Sequence, residues 1–138
     1  MSAARDFANL RGKLSFLSAI NSNALDQDDY AYHDDRTIND LGSVSGTTDI
    51  DLGDGTNVTA TIAGATTFTV SGLISDSVNT ITLLLTNAGA YTVTFPTGTT
   101  FNRDTAPILA ASGNTIIVLE TYDNGTSYKG IQVWRDTA

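Results

Sequence analysis

The chain has 138 residues, 41% hydrophobic and 16% charged, which suits one globular domain with a modest core. Seven Lys and Arg against 15 Asp and Glu leave a net charge of -8, which speaks against nucleic acid and anionic membrane surfaces as partners. Cysteine is absent, which excludes a disulfide framework and thiolate metal sites.

Residues 2–25 read as a helix. Ser2 suits the N-cap. Ala3, Phe7, Leu10, Leu14 and Leu17 recur four and three apart, and the spacing continues through Asn21 to Ala24, as on the seam of a coiled coil. Asn21 would be the polar seam residue that sets register. Phe16 and Ile20 widen the stripe, and Gly12 weakens the helix by about 1 kcal/mol relative to Ala. A helix this short needs a partner surface. Its own body and a second protein, a symmetry mate included, both fit. Met1 to Asp6 lacks the apolar run of a signal peptide, and no segment reaches the roughly 18 apolar residues of a membrane span, so a soluble protein made without export is expected.

Residues 26–46 change character. Asp26, Asp28, Asp29, Asp34, Asp35 and Asp40 are opposed only by Arg36, with Tyr30, Tyr32, Ile38 and Leu41 scattered among them. The apolar residues are too few for a core, so an extended arm over residues 26–46 is expected.

A composition boundary follows. One Thr, Thr37, precedes residue 47, and 21 follow from Thr47 onward. Two parts are therefore expected: an N-terminal helix and acidic arm over 1–46, and a β-body over 47–138. In the body, Asp49–Leu52 alternates, with Asp49 and Asp51 outward. Val58, Ala60 and Ile62 share one face, Phe68 and Val70 mark the next strand, and Ile81, Leu83 and Leu85 point inward with Leu84 opposite. Tyr91, Val93 and Phe95 alternate with Thr92 and Thr94. Period-two spacing with Thr outward is what a half-buried strand requires. Phe101 to Ser112 reads as a long loop. Ile116 to Leu119 is apolar on both faces, which predicts a central strand. Asn124-Gly125 signals a hairpin turn. In the last strand Ile131 and Val133 are expected on one face and Trp134 on the other. Some seven short strands imply a mainly β fold, an antiparallel β-sandwich or jelly roll.

No residue cluster specifies a reaction, so no enzyme, cofactor or metal is expected. The run Asp49 to Gly55 fails the calcium-loop pattern at Gly53 and Ala60, where a carboxylate and a Glu are needed. His33 is the only histidine, which excludes a histidine-built zinc site. Glu120, the only glutamate, would need Asp104 or Asp123 as a second carboxylate for glycoside chemistry. Asn57-Val58-Thr59 and Asn124-Gly125-Thr126 match the glycosylation acceptor pattern and are read as turn and strand residues. Tyr122, Tyr128 and Trp134 fit core or interface filling, or stacking on a sugar.

Three stretches carry a family resemblance. They are Thr48 to Leu52 with Val58–Ile62 and Thr66–Val70; Ile81–Thr86 leading to Tyr91–Pro96; and Thr105–Leu109 with Gly113–Thr115 and the Thr121–Tyr128 hairpin. In this order they resemble a β-sandwich domain of tailed-bacteriophage virion proteins, found in capsid decoration (cement) proteins and tail fibres. Phe101 stands where a Trp is often found in that long loop. The resemblance implies a homotrimer without an active site, made in the bacterial host cytoplasm. At this length, one body and one arm suit a clamp on the outer capsid surface, stapling the major capsid protein. The alternative is a tail-fibre or receptor-binding module for host glycan. The contact residues expected on the Thr-poor segment are Phe7, Leu10, Leu14, Leu17, Asn21, Tyr30, Tyr32, Ile38 and Leu41.

Overall fold

The structure is a computed structural model and describes residues 37–137. The expected helix over 2–25 and the arm as far as residue 36 lie outside the described residues. Seven strands form one sheet: β1 (Ile38–Asp51), β2 (Asn57–Ser71), β3 (Asn79–Thr86), β4 (Val93–Thr94), β5 (Thr99–Phe101), β6 (Asn114–Thr121) and β7 (Tyr128–Arg135). The order is β1-β2-β3-β6-β7-β5, with β4 also paired to β2.

The sheet is mixed, which corrects the expectation of an antiparallel one. β1–β2, β2–β3, β2–β4 and β5–β7 pair parallel; β3–β6 and β6–β7 pair antiparallel. Parallel neighbours ordinarily need a crossover of a dozen or more residues. Here β1 and β2 are joined by the short turn Leu52 to Thr56. The chain manages this because β1 bends back on itself. Its 14 residues would span about 45 Å if straight. Instead the Asn39 side-chain amide donates to the Asp51 carbonyl oxygen at 3.0 Å, so the two ends of the strand meet. Register shifts between Asp40 and Ser43 and between Val44 and Gly46 mark the bends, and Gly46 turns the chain with φ +73.

β2 lies in register along this coil, from Ile38 opposite Asn57 to Asp51 opposite Ser71. The third layer is split: β3 pairs with the first half of β2 and β4 with the second. The two halves of the coil enclose one core. Val58, Ala60 and Ile62 from the first half and Ile50 and Phe68 from the second are all buried, together with Ile81, Leu83, Leu85, Ile117 and Leu119. Each fully buried aliphatic side chain contributes roughly 1.5–3 kcal/mol. Two buried asparagines hold the turns. Asn39 closes the coil, and Asn79 accepts from the Ile74 amide and donates to the Ile74 and Ser77 carbonyls.

The expected inward and outward faces of Asp49–Leu52, Val58–Ile62 and Ile81–Leu85 are as read from their alternation. Several elements differ. Strand pairing starts at Ile38 rather than at Thr47, so residues 38–46 are part of the sheet. The strand expected over Tyr91–Phe95 shortens to Val93–Thr94, and Tyr91 is exposed. Within the expected start of the long loop, Phe101 ends a short strand, β5, and its ring meets Phe95 edge to face at 5.1 Å. The hairpin between β6 and β7 places both Asn124 and Gly125 at positive φ. Asp123 braces it by accepting from the Ser127 amide and hydroxyl and from the Thr121 hydroxyl.

Candidate functional site

The antiparallel part of the sheet, β3-β6-β7, has one face on the core and one face outward. The inward side chains of β6 are Thr115, Ile117, Leu119 and Thr121, all buried. Its outward ones are Ile116, Val118 and Glu120, half-buried. Cross-strand register extends this outer face over three strands. Leu84 lies opposite Ile116, and Ile116 opposite Trp134; Thr82 lies opposite Val118, and Val118 opposite Ile131. Leu84, Ile116, Val118, Ile131 and Trp134 therefore form one apolar surface. An outward face of an antiparallel sheet is ordinarily polar. Here Ile131 is 49% exposed and Trp134 58%.

Trp134 reaches that face through a bulge. Ile117 pairs with Gln132 and Ile116 with Trp134, so Val133 is the extra residue. A one-residue bulge reverses the alternation beyond it. Trp134 consequently joins Ile131, which corrects the expectation that the two face opposite ways. The indole is held in place: its Nε1 donates to Asp136 Oδ1 at 3.0 Å, and Asp136 Oδ2 accepts from the Asn114 amide at 2.7 Å. These donors, the Asn114 amide foremost and then the indole, hold the Asp136 carboxyl below the usual carboxylate range. At the border of the face, Gln132 Oε1 accepts from the Ile108 amide at 3.0 Å, tying the Pro107 loop to β7. Between them lies a pocket of about 270 Å³ lined by Phe101, Pro107, Ile108 and Ile131 among others.

Of the contact residues expected from the sequence, Phe7, Leu10, Leu14, Leu17, Asn21, Tyr30 and Tyr32 lie outside the described residues, as does His33. Ile38 opens β1 and is exposed. Leu41 packs against the body's own core, because β1 brings it beside β2. The three aromatics singled out as a sugar platform are separated. Tyr128 is buried, Tyr122 stands exposed on the hairpin turn, and Trp134 lies toward the far end of β7.

Of the candidate carboxylates, Asp104 is exposed, its carboxyl without a hydrogen-bond partner among the described residues, and Glu120, Asp123, Asp49 and Asp51 are engaged locally. Glu120 accepts from the Tyr122 hydroxyl at 2.7 Å, which raises the tyrosine pKa above its ordinary 10.0. Asp123 is committed to the turn, and the Ser127 hydroxyl above all lowers its pKa. Asp49 accepts from the Thr69 and Ser71 hydroxyls, and Asp51 from the Gly53 amide at 2.9 Å. Among the described residues no three His, Cys, Asp or Glu side chains converge as a metal site. The outer apolar face had a sequence signal in the unbroken run Ile116 to Leu119, which is apolar at both parities. Compared with known proteins, the chain matches no family model, no curated protein and no solved structure.

Proposed function

We propose that this chain is a structural protein of a bacteriophage virion: a trimeric decoration protein that staples major capsid subunits from the outside. The observation that carries the reading is the apolar outer face of β3-β6-β7. A contiguous exposed apolar face marks an interaction surface. The resemblance read from the sequence supplies the setting and the sandwich packing, and the enclosure of one core by two halves of a coiled sheet supports that packing in outline. Adhesion of this kind stabilises by mass action, since a protein that binds only the assembled shell favours it. The test is to strip the protein from purified capsids and compare their thermal disruption with that of decorated ones. Stripped capsids should disrupt at lower temperature and recover on adding the protein back; equal disruption temperatures would end the cement reading.

One observation favours a second reading, a receptor-binding module for host glycan. Tyr122 presents an exposed ring beside the Glu120 carboxylate, a pairing suited to stacking on a sugar and accepting from its hydroxyls. Glycan-array binding that disappears in Tyr122→Ala would support it.

A further inference from the structure

The cations of the described residues gather at one edge of the sheet. From Thr37 to Thr137 the basic residues are Arg103, Lys129 and Arg135. Lys129 and Arg135 belong to β7, and Arg103 follows β5, the strand paired with β7. All three are exposed, and among the described residues none has an ion-pair partner; Lys129 donates to the Thr100 hydroxyl at 3.1 Å. Asp104, Glu120 and Asp136 belong to the same region. Glu120 is engaged by Tyr122, and Asp136 by Asn114 and Trp134.

The opposite edge is acidic. β1 and the turn after it carry Asp40, Asp49, Asp51 and Asp54, all exposed. Asp40, Asp49 and Asp51 accept from hydroxyls and amides, and no cation among the described residues faces any of the four. Both edges are also open among the described residues. β1 has β2 on one side only, and β5 pairs with β7 only as far as Gly130, leaving Ile131–Arg135 without a strand partner on that side. Open edges carry backbone groups able to pair with another chain.

We propose that copies of this chain associate head to tail, the β7 edge of one copy seated against the acidic β1 edge of a second. β1 on β1 would oppose four carboxylates to four, whereas the β7 edge carries every cation of the described residues, with Glu120 opposite Lys129 and Asp104 and Asp136 nearby. Seating the unlike edges together brings these exposed cations against the acidic edge, with Trp134 and Ile131 supplying the apolar centre between Lys129 and Arg135. A contact between two different surfaces of the same chain is heterologous and closes into a ring when its rotation permits. The inference shares self-association with the proposed function and does not depend on what the assembly decorates.

The test measures association of the full chain by sedimentation. Asp49→Lys with Asp54→Lys on one edge, and Lys129→Glu with Arg135→Glu on the other, should each weaken association by roughly a hundredfold, since like-charge contacts are strongly disfavoured. Combining all four substitutions in one chain reverses both edges and should restore it. Thermal unfolding of each variant separates lost contacts from lost folding. A second measurement needs no variant: raising NaCl from about 0.05 M to 1 M should weaken wild-type association, because salt screens exposed charges. A wild type that stays monomeric, a β1-edge pair of reversals that leaves association intact, or association that strengthens with salt would overturn the proposal. Capsid disruption tests the decoration reading separately.

Discussion

A single unpaired residue, Val133, decides where Trp134 points, and through it the character of a whole face. Elsewhere single side chains matter by closing hydrogen bonds that water cannot reach. Thr115 is fully buried, and its hydroxyl accepts from the buried Ala110 amide at 2.9 Å. Thr115→Val keeps the shape and removes the acceptor. The stranded amide should cost about 1–3 kcal/mol in urea unfolding; an unchanged midpoint would mean that another acceptor reaches it. Asp123 and Asp136 give the protein a pH dependence. Both carboxyls lie below their ordinary 3.8 because hydroxyl, amide and indole groups donate to the charged form. A depressed folded pKa contributes stability that is complete above the unfolded value and lost as pH falls through the folded one. The unfolding temperature should therefore drop below about pH 4, and Asp123→Asn with Asp136→Asn should flatten that drop while lowering the plateau at neutral pH.

At the scale of elements, the faces of the strands were legible and their directions were not. Alternation at Val58–Ile62 or Ile81–Leu85 states which side chains go inward, and it is the same for parallel and antiparallel neighbours. The closing of β1 into a coil rests on long-range partners, Asn39 with Asp51 and Ile38 with Asn57, that no local pattern encodes. The segment 38–46 reads as an arm for its scarcity of apolar residues, yet an edge strand needs few of them: Val44 and Asn39 are buried, Leu41 partly so, and the rest are exposed. The outer face was half legible, as the doubly apolar run in β6, while the bulge that completes it was not. Two glycines test the coil. Gly46 has φ +73 and open space around a Cβ, so Gly46→Ala should cost only the left-handed penalty of about 1–2 kcal/mol. Gly55 has φ +131, and a Cβ there would lie 2.8 Å from the Thr37 carbonyl oxygen. Gly55→Ala should cost clearly more, measured in the same denaturant series; equal losses would show that the coil is not closed tightly at that point.

For the molecule as a whole, the decisive boundary is where the self-supporting body begins. The composition change falls at Thr47, whereas the strand pairing begins at Ile38. The two positions predict different truncations. Removing residues 1–34 keeps all of β1, and the core runs from Val44 to Tyr128 within what remains. That chain should unfold in one cooperative transition. Removing residues 1–46 takes away the Asn39 bond to Asp51, the packing of Leu41 and Val44, and the pairing of β1 with the first half of β2. Each apolar side chain lost removes roughly 1.5–3 kcal/mol, from a total of about 5–15 kcal/mol for a typical domain. The shorter chain should melt far lower or without cooperativity, with β2 amides the first to lose protection in hydrogen exchange. Indistinguishable melting of the two would place the body's start at the threonine boundary and make β1 before Gly46 an attachment rather than part of the fold.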